Sequence, residues 1–168
     1  FLLISPAGQK IKSIADLKKK KIAIIADNGS SAALVRNILE LSNIPNAATQ
    51  VQMAPTGATF DKLFASGFGA VIKVGHASQI VKDKSYEQSA RRGGFTLNAI
   101  DSAKAIARKY PAISEETVAT GMLSASPAMP AEDVDTIGLE WLLVAQSKLS
   151  TTTVSDLARI IYENKAEL

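Results

Sequence analysis

The chain has 168 residues, of which 46% are hydrophobic and 21% are charged, with a formal net charge of +3. This composition excludes a disordered chain and fits one compact domain, or one domain with a piece of another. The absence of cysteine excludes disulfides, thiolate metal sites and a cysteine nucleophile, and no apolar run reaches the ~18–20 residues of a membrane span.

Much of the positive charge lies in Lys10, Lys12 and the four lysines at 18–21. A nucleic-acid site usually interleaves such charges with aromatic side chains, and none lies between Phe1 and Phe60. We therefore interpret the lysine run as a solvated segment before a strand and expect no nucleic-acid partner.

The first hundred residues alternate between short apolar runs and helical patterns. Strands are predicted over residues 1–5, 21–26, 49–53, 70–75 and 95–97. Helices are predicted over residues 30–43, 57–66 and 77–92, and from Asn98 as an N-cap to Tyr110, with Asp101 in the first turn. Ser13 and Asp16 form a capping-box pattern that opens a short helical turn.

The pattern changes after Pro111. Residues 117–123 and 136–146 are predicted strands on either side of a proline-containing connection. Residues 150–165 predict an amphipathic last helix whose inward face is formed by Val154, Leu157, Ile160 and Ile161.

Strands that alternate with helices predict a mostly parallel sheet flanked by helices, an α/β fold. Ligands of such sheets bind beyond the carboxyl ends of the strands. The loops expected at that edge are residues 27–31, 54–57 and 75–78, and we expect them to converge on one crevice.

The helix that begins near Ser30 has an unusual first turn. Ser31, Ala32 and Ala33 follow without an acidic residue, and Gly29 allows a bound group to approach the backbone. Free N–H groups, two hydroxyls and the positive end of the helix dipole would form an anion cradle. The alternative, which the residue types favour, is that Ser30 caps the helix and water covers the remaining N–H groups. Asp27 also counts against an anion.

Three segments together resemble a known family, the extracytoplasmic solute receptors of TRAP transporters of the TAXI type. The segment "IKSIADLKKKKIAIIADNGSSAALVRNILE" is similar to the family's I-x-S-x-x-D-L-K-G-K-x-V-A-I pattern with its Gly/Ser-rich loop and helix. The match rests on Ile11, Ser13, Asp16, Leu17, Lys18, Lys20, Ile22, Ala23, Ile24, Gly29 and Ser30. "LFASGFGAVIKVGHAS" matches a second segment through Leu63, Gly67, Ala70 and Gly75, and residues 130–163 resemble the return strand and helix.

The resemblance implies a lobe of a periplasmic-binding-protein type II clamshell. Residues 8–133 would form the second lobe, and residues 1–7 and 134–168 would be hinge strands and a C-terminal helix that belong to or face a missing first lobe. Residues 1–7 and 136–148 would cross between the lobes as antiparallel neighbours. The protein would be periplasmic or extracytoplasmic, with any membrane anchor outside this segment.

The implied function is delivery of a small solute, often an acidic one, to membrane transporter subunits. Departures from the family pattern, among them Gly69 where the family prefers Asp, also leave open a solute with an amine or hydroxyl groups. The expected ligand-binding residues are Asn28, Gly29, Ser30, Ser31, Thr56, Gly75 and His76.

We expect no catalytic residue, metal or cofactor. His76 is the only histidine, and no carboxylate partners for a metal site can be identified. No serine lies in a G-x-S-x-G elbow, and no phosphate-binding glycine motif occurs. Two alternatives stay open: an effector-binding domain of a transcription regulator with the same clamshell, and a small doubly wound enzyme.

Overall fold

The computed structural model describes residues 1–26, 29–44, 47–139 and 144–165. Its strands are β1 (Leu2–Pro6), β2 (Ile22–Ile25), β3 (Val51–Met53), β4 (Ala70–Lys73), β5 (Phe95–Asn98), β6 (Ile113–Val118), β7 (Ser124–Ala125), β8 (Ala128–Met129) and β9 (Val134–Leu139). Its α-helices are α1 (Gly29–Leu41), α2 (Ala47–Gln50), α3 (Phe60–Ala65), α4 (Ala77–Lys82), α5 (Lys84–Arg91), α6 (Ala103–Lys109) and α7 (Thr151–Glu163), and a 3₁₀ helix spans Ile14–Lys19.

Five strands form the main sheet in the order β3-β2-β4-β1-β5. Strand β2 is parallel to both of its neighbours, whereas β1 is antiparallel to β4 and to β5. Leu3, the second residue of β1, is level with Ile72 on one side and Asn98 on the other. The prediction of a mixed α/β fold with a mostly parallel sheet is therefore confirmed.

Side chains of the sheet alternate between two apolar layers. Leu3, Ile24 and Ile72 point to the face covered by α1 and α6, where Val35 and Ile106 are buried. Their neighbours point to the other face, covered by α3, α4 and α5, because successive side chains of a strand lie on opposite sides. The buried residues of that second layer include Leu2, Ile4, Ala23, Val71, Leu63, Ile80 and an aromatic cluster of Phe60, Tyr86 and Phe95.

Strands β6 and β9 form a separate antiparallel ribbon, in which Glu116 is level with Thr136 and Ser114 with Gly138. The predicted pairing of residues 1–7 with 136–148 is wrong, because β4 and β5 already occupy both edges of β1. The start of β1 nevertheless contacts the ribbon. The backbone N of Phe1 donates to the carbonyl of Ile137 at 2.8 Å, and the Thr136 hydroxyl donates to the carbonyl of Phe1.

Asn98 is a strand residue, so its predicted role as a helix N-cap is wrong. It ends β5, and α6 begins only at Ala103 after the N-cap Ser102. The Asn98 side chain is buried, accepts from the backbone N of Ile11 at 2.7 Å and donates to the Ser5 hydroxyl at 2.9 Å. Asp101, expected in the first turn, accepts instead from the backbone N of Ile14 at 3.2 Å.

Other differences concern element ends. The predicted helix over 77–92 is two helices, because Asp83 ends α4 and its side chain caps α5 through the backbone N of Ser85. Residues 119–123 form a turn rather than part of a strand, and β9 is described only to Leu139, since 140–143 lie outside the described residues.

The apolar face of α7 is exposed, contrary to the prediction that it faces inward. Within the described part of the chain no residue of α7 is buried, and the side chain of Ile160 is 52% exposed. The capping box at Ser13 and Asp16 is confirmed. The division into a lobe at 8–133 and hinge segments at 1–7 and 134–168 stays a prediction, although β1 lies inside the main sheet.

We predict that Asn98→Ala lowers the free energy of unfolding by about 2–3 kcal/mol, because it removes the acceptor of the buried Ile11 N–H and the donor to Ser5. Urea unfolding of the whole chain measures the loss. Asn37→Ala, at an exposed position of α1, is the control and should stay within about 0.5 kcal/mol of wild type. Equal stability of the two variants would contradict the structural role of Asn98.

Candidate functional site

A cleft of about 710 Å³ lies at the carboxyl ends of β2 and β4. One wall is formed by the residues that follow these strands, and the other by the β6–β9 ribbon and the turn after β6. The start of β1 contributes to the floor. The lining residues are Phe1, Leu2, Ser30, Ser31, Leu34, Val74, Gly75, His76, Ala77, Ile80, Glu116, Thr117, Val118, Met122, Leu123, Thr136, Ile137, Gly138 and Leu139.

Helix α1 brings Ser30 and Ser31 to the cleft. Its buried residues Ala32, Val35 and Leu39 recur at helical spacing and pack on the sheet, which fixes the direction of the helix. The amino end of α1 therefore lies at the edge where β2 ends, as expected for a strand followed directly by a helix. The first turn contains no acidic residue.

The segment after β4 brings Gly75 and His76 to the same cleft. The backbone N of Val74 donates to the carbonyl of Ile25 at 2.8 Å, which continues the pairing of β4 with β2 beyond Lys73. His76 is extended, with φ −63° and ψ 137°, and is the N-cap of α4. Its carbonyl accepts from the backbone N of Gln79 and Ile80, and His76 is half-buried and lines the cleft at this turn.

The ribbon supplies the opposite wall and carries its polar groups. Glu116 lies in the middle of β6, and the Ser114 hydroxyl donates to its Oε1 at 2.8 Å. Gly138 of β9 gives both side chains room, since a Cβ built there would lie 2.7 Å from the Glu116 Cγ and 2.7 Å from the Ser114 Oγ. The methylene groups of Glu116 thus rest on the backbone of the neighbouring strand.

Four of the seven predicted ligand-binding residues meet at the cleft: Ser30, Ser31, Gly75 and His76. Gly29 and Thr56 are exposed and are not among its lining residues, and Asn28 lies outside the described residues. The loop at 54–57 instead leads to a separate depression of about 320 Å³ that includes Gly57, Lys73 and Tyr86. Two of the three expected loops therefore converge, and ligand binding by the seven residues stays a prediction.

Sequence reasoning missed the ribbon wall entirely. Of the adjacent acidic residues Glu115 and Glu116, only Glu116 lines the cleft. Neighbouring residues of a strand point to opposite sides, so a prediction that residues 113–118 pair with 134–139 would have placed Glu115 and Glu116 on different sides of the ribbon. That pairing depends on where the ribbon folds, which the alternation along one strand does not reveal.

The turn that carries Met122 and Leu123 into the cleft is held by Asp133. Its carboxylate Oδ1 accepts from the backbone N and from the hydroxyl of Thr120, both at 2.8 Å. These hydrogen bonds lower the pKa of the Asp133 carboxyl below its usual value. In the aromatic cluster of the second apolar layer, burial and the nearby Asp83 raise the pKa of the Tyr86 phenol.

Two further findings bound the chemistry of the described residues. Nowhere in the described ranges do three or more His, Asp or Glu side chains come close enough together to hold a metal ion. None of the helices within those ranges has the length and apolar character needed to cross a bilayer.

Comparison with known proteins gives one result for the whole chain. The model of a family described as the NMT1-like family matches residues 1–168. No curated protein matches the chain.

We predict that Thr120→Val raises the pKa of Asp133 towards its ordinary value, because one of its two hydrogen bonds is lost. A carbon-detected NMR titration of the carboxyl measures the change, and Thr152→Val on the exposed helix α7 is the control. Since the folded pKa lies below the unfolded one, this contact stabilises the fold above about pH 4 and the contribution disappears as the pH falls through the folded pKa. An unchanged Asp133 titration in Thr120→Val would contradict the assignment.

Proposed function

The chain belongs to the NMT1-like family, a periplasmic-binding-protein-like family, and from this premise we propose that it is an extracytoplasmic receptor that binds a small solute in the cleft and delivers it to a membrane transporter. The family fits small-molecule binding. The transporter, the extracytoplasmic location and the absence of catalysis are parts of the proposal.

One observation carries the proposal. The residues that follow β2 and β4 are far apart in the sequence, and the fold places Ser30, Ser31, Gly75 and His76 around one cavity of about 710 Å³. That volume lies within the range of small-molecule sites, and its position at the carboxyl edge of parallel strands is where α/β sheets bind ligands. A cavity left by imperfect packing would not be expected to have the polar residues of two strand–helix turns on its wall.

The lining suggests how a solute would be held. Apolar side chains such as Leu34, Ile80 and Leu139 would cover its carbon skeleton, with about 25 cal/mol gained for each Å² of apolar surface removed from water. The hydroxyls of Ser30 and Ser31 and the first-turn N–H groups of α1 would donate to its oxygen atoms. A few polar groups at one end of an apolar cavity fix orientation, as solute-binding sites require.

The finer assignment to the TAXI type of TRAP receptor rests on the sequence resemblance around Ile11–Ser30 and Leu63–Gly75. Under this proposal the described sheet is the second lobe of a clamshell, and a first lobe closes over the cleft when solute binds. The exposed apolar face of α7 would then contact that first lobe. A lobe alone provides only part of the contacts, so we expect the isolated chain to bind weakly.

We predict that Ser30→Leu abolishes solute binding, because the larger side chain fills the cleft at the start of α1. Proton–nitrogen NMR spectra are recorded with millimolar additions of amino acids, dicarboxylates, amines and neutral amides, which detects weak binding. A solute that binds in the cleft should shift the amide signals of Gly75 and His76 in wild type and leave them unshifted in the variant.

Ser78→Leu is the matched control, since Ser78 occupies the second position of α4 as Ser30 does in α1, and it lies outside the cleft lining. It should bind like wild type. If no solute of the four classes shifts these signals, or if Ser30→Leu binds like the control, the cleft is not the receptor site.

The regulator alternative shares the cleft and differs in what the complete gene encodes. A secretion signal or membrane anchor in the full-length protein supports the receptor, whereas a DNA-binding motif would replace the receptor with an effector-binding domain. Uptake of the identified solute by vesicles that contain the transporter subunits then tests delivery. Uptake that does not require the full-length protein would contradict the proposed role in transport.

A further inference from the structure

No lysine or arginine side chain of the described chain lines the cleft. All 19 lysine and arginine residues of the chain lie within the described ranges, and none of them is among the residues that line the cavity. Lys73, at the end of β4, lines the separate depression. A carboxylate, sulfonate or phosphate in this cleft would therefore find no lysine or arginine among the lining side chains, although the Lys73 Cε lies 3.7 Å from the position of a Cβ built on Gly75.

Among the described residues, the charged side chain that lines the cleft is Glu116. Its position is constrained on two sides, since Ser114 donates to Oε1 and the methylene groups lie against Gly138. His76 is the other titratable side chain at the wall. The α-amino group of Phe1 donates to the Ile137 carbonyl, and burial lowers its pKa although Glu116 acts in the opposite direction.

We infer that the solute is an apolar organic amine, bound with its ammonium group at Glu116 and its carbon skeleton along the apolar lining. This inference rests on the proposed function and names the class of solute. A protonated amine forms a charge-assisted hydrogen bond with a carboxylate, whereas an anion at the same place is repelled. The apolar side chains of the remaining wall, among them Leu34, Ile80, Val118 and Leu139, would contact the hydrocarbon part of the solute.

The amino end of α1 acts in the opposite sense but is weaker. A helix dipole places about half a positive charge at its first turn, and its effect declines within that turn. Glu116 carries a full negative charge on the facing wall. The α-amino group of Phe1 lies at the same wall and competes for Glu116, but burial lowers its pKa and so weakens that competition. The balance therefore favours a cation, with the Ser30 end of the cleft left to a neutral oxygen of the solute.

The test uses two probes of the same length, hexylamine and hexanoate, titrated into the chain at neutral pH and low salt and followed by NMR shifts of the Gly75 and His76 amides. We expect hexylamine to bind at least about fivefold more tightly. Added salt should reduce the difference, because exposed charge pairs are screened.

Glu116→Gln keeps the shape of the side chain and removes its charge, and it should bring the two affinities within about twofold. Glu115→Gln is the matched control, since Glu115 is exposed on the same strand and is not among the lining residues, and it should keep the wild-type preference. Gly138→Ala adds a methyl group where Glu116 and Ser114 lie, and by displacing the carboxylate it should also reduce the preference.

Each outcome decides the inference. Equal or tighter binding of hexanoate to wild type overturns it, as does binding of neither probe or a Glu116→Gln variant that keeps the preference. The proposed function is judged apart from it, because binding of any solute that Ser30→Leu abolishes supports a receptor cleft even where the preference for amines fails.

Discussion

Strand β1 runs antiparallel between β4 and β5, and its direction decides where the cleft forms. Because it opposes β4, its first residues emerge at the edge where β2 and β4 end, with Leu2 level with Lys73. There the backbone of Phe1 bonds to Ile137 and Thr136 of the ribbon. A parallel strand in the same position would begin at the opposite edge and could not attach the ribbon beside Ser30 and His76.

The other end of β1 is fixed by a buried polar group. Asn98 is level with Leu3, and its side chain reaches diagonally to the Ser5 hydroxyl and to the backbone N of Ile11. An amide in an apolar layer is costly unless its hydrogen bonds are satisfied, so this contact specifies the register of β1 on β5. The start of β1 thus attaches the ribbon beside the cleft, and the Asn98 contact sets the register of β1 in the sheet.

The character of the cleft follows from how its two walls are built. The sheet side ends in strand–helix turns, which present hydroxyls and backbone N–H groups. The ribbon side presents the end of β6 and the residues of β9 from Thr136 to Leu139, which bring Glu116 but no lysine or arginine. Lysines are frequent in this chain, but most occur before β2 and at exposed helix positions, and Lys73 at the end of β4 is not among the lining residues.

The errors of sequence analysis share one physical cause. Asn98 has the residue type of a helix cap, but pairing with β1 keeps it in the ladder, and tertiary contact overrides a local preference. The helix at 151–163 has an apolar face, but the local sequence does not show which segment packs on that face. Within the described residues the face is exposed. The pairing proposed for residues 1–7 failed because a strand has two edges and alternation does not say which partners occupy them.

The sequence by itself determined the elements with strong periodicity: the buried strands β2 and β4, the amphipathic α1, the alternation that predicts a mostly parallel sheet, and through it the edge where Ser30 and His76 lie. These are local or rule-governed properties, set by side-chain spacing and strand direction. Only the tertiary structure decided that β1 opposes its neighbours, that 54–57 turns away from the cleft, and that Glu116 faces it. Each depends on contacts between segments far apart in the chain, whose free energy no local window contains.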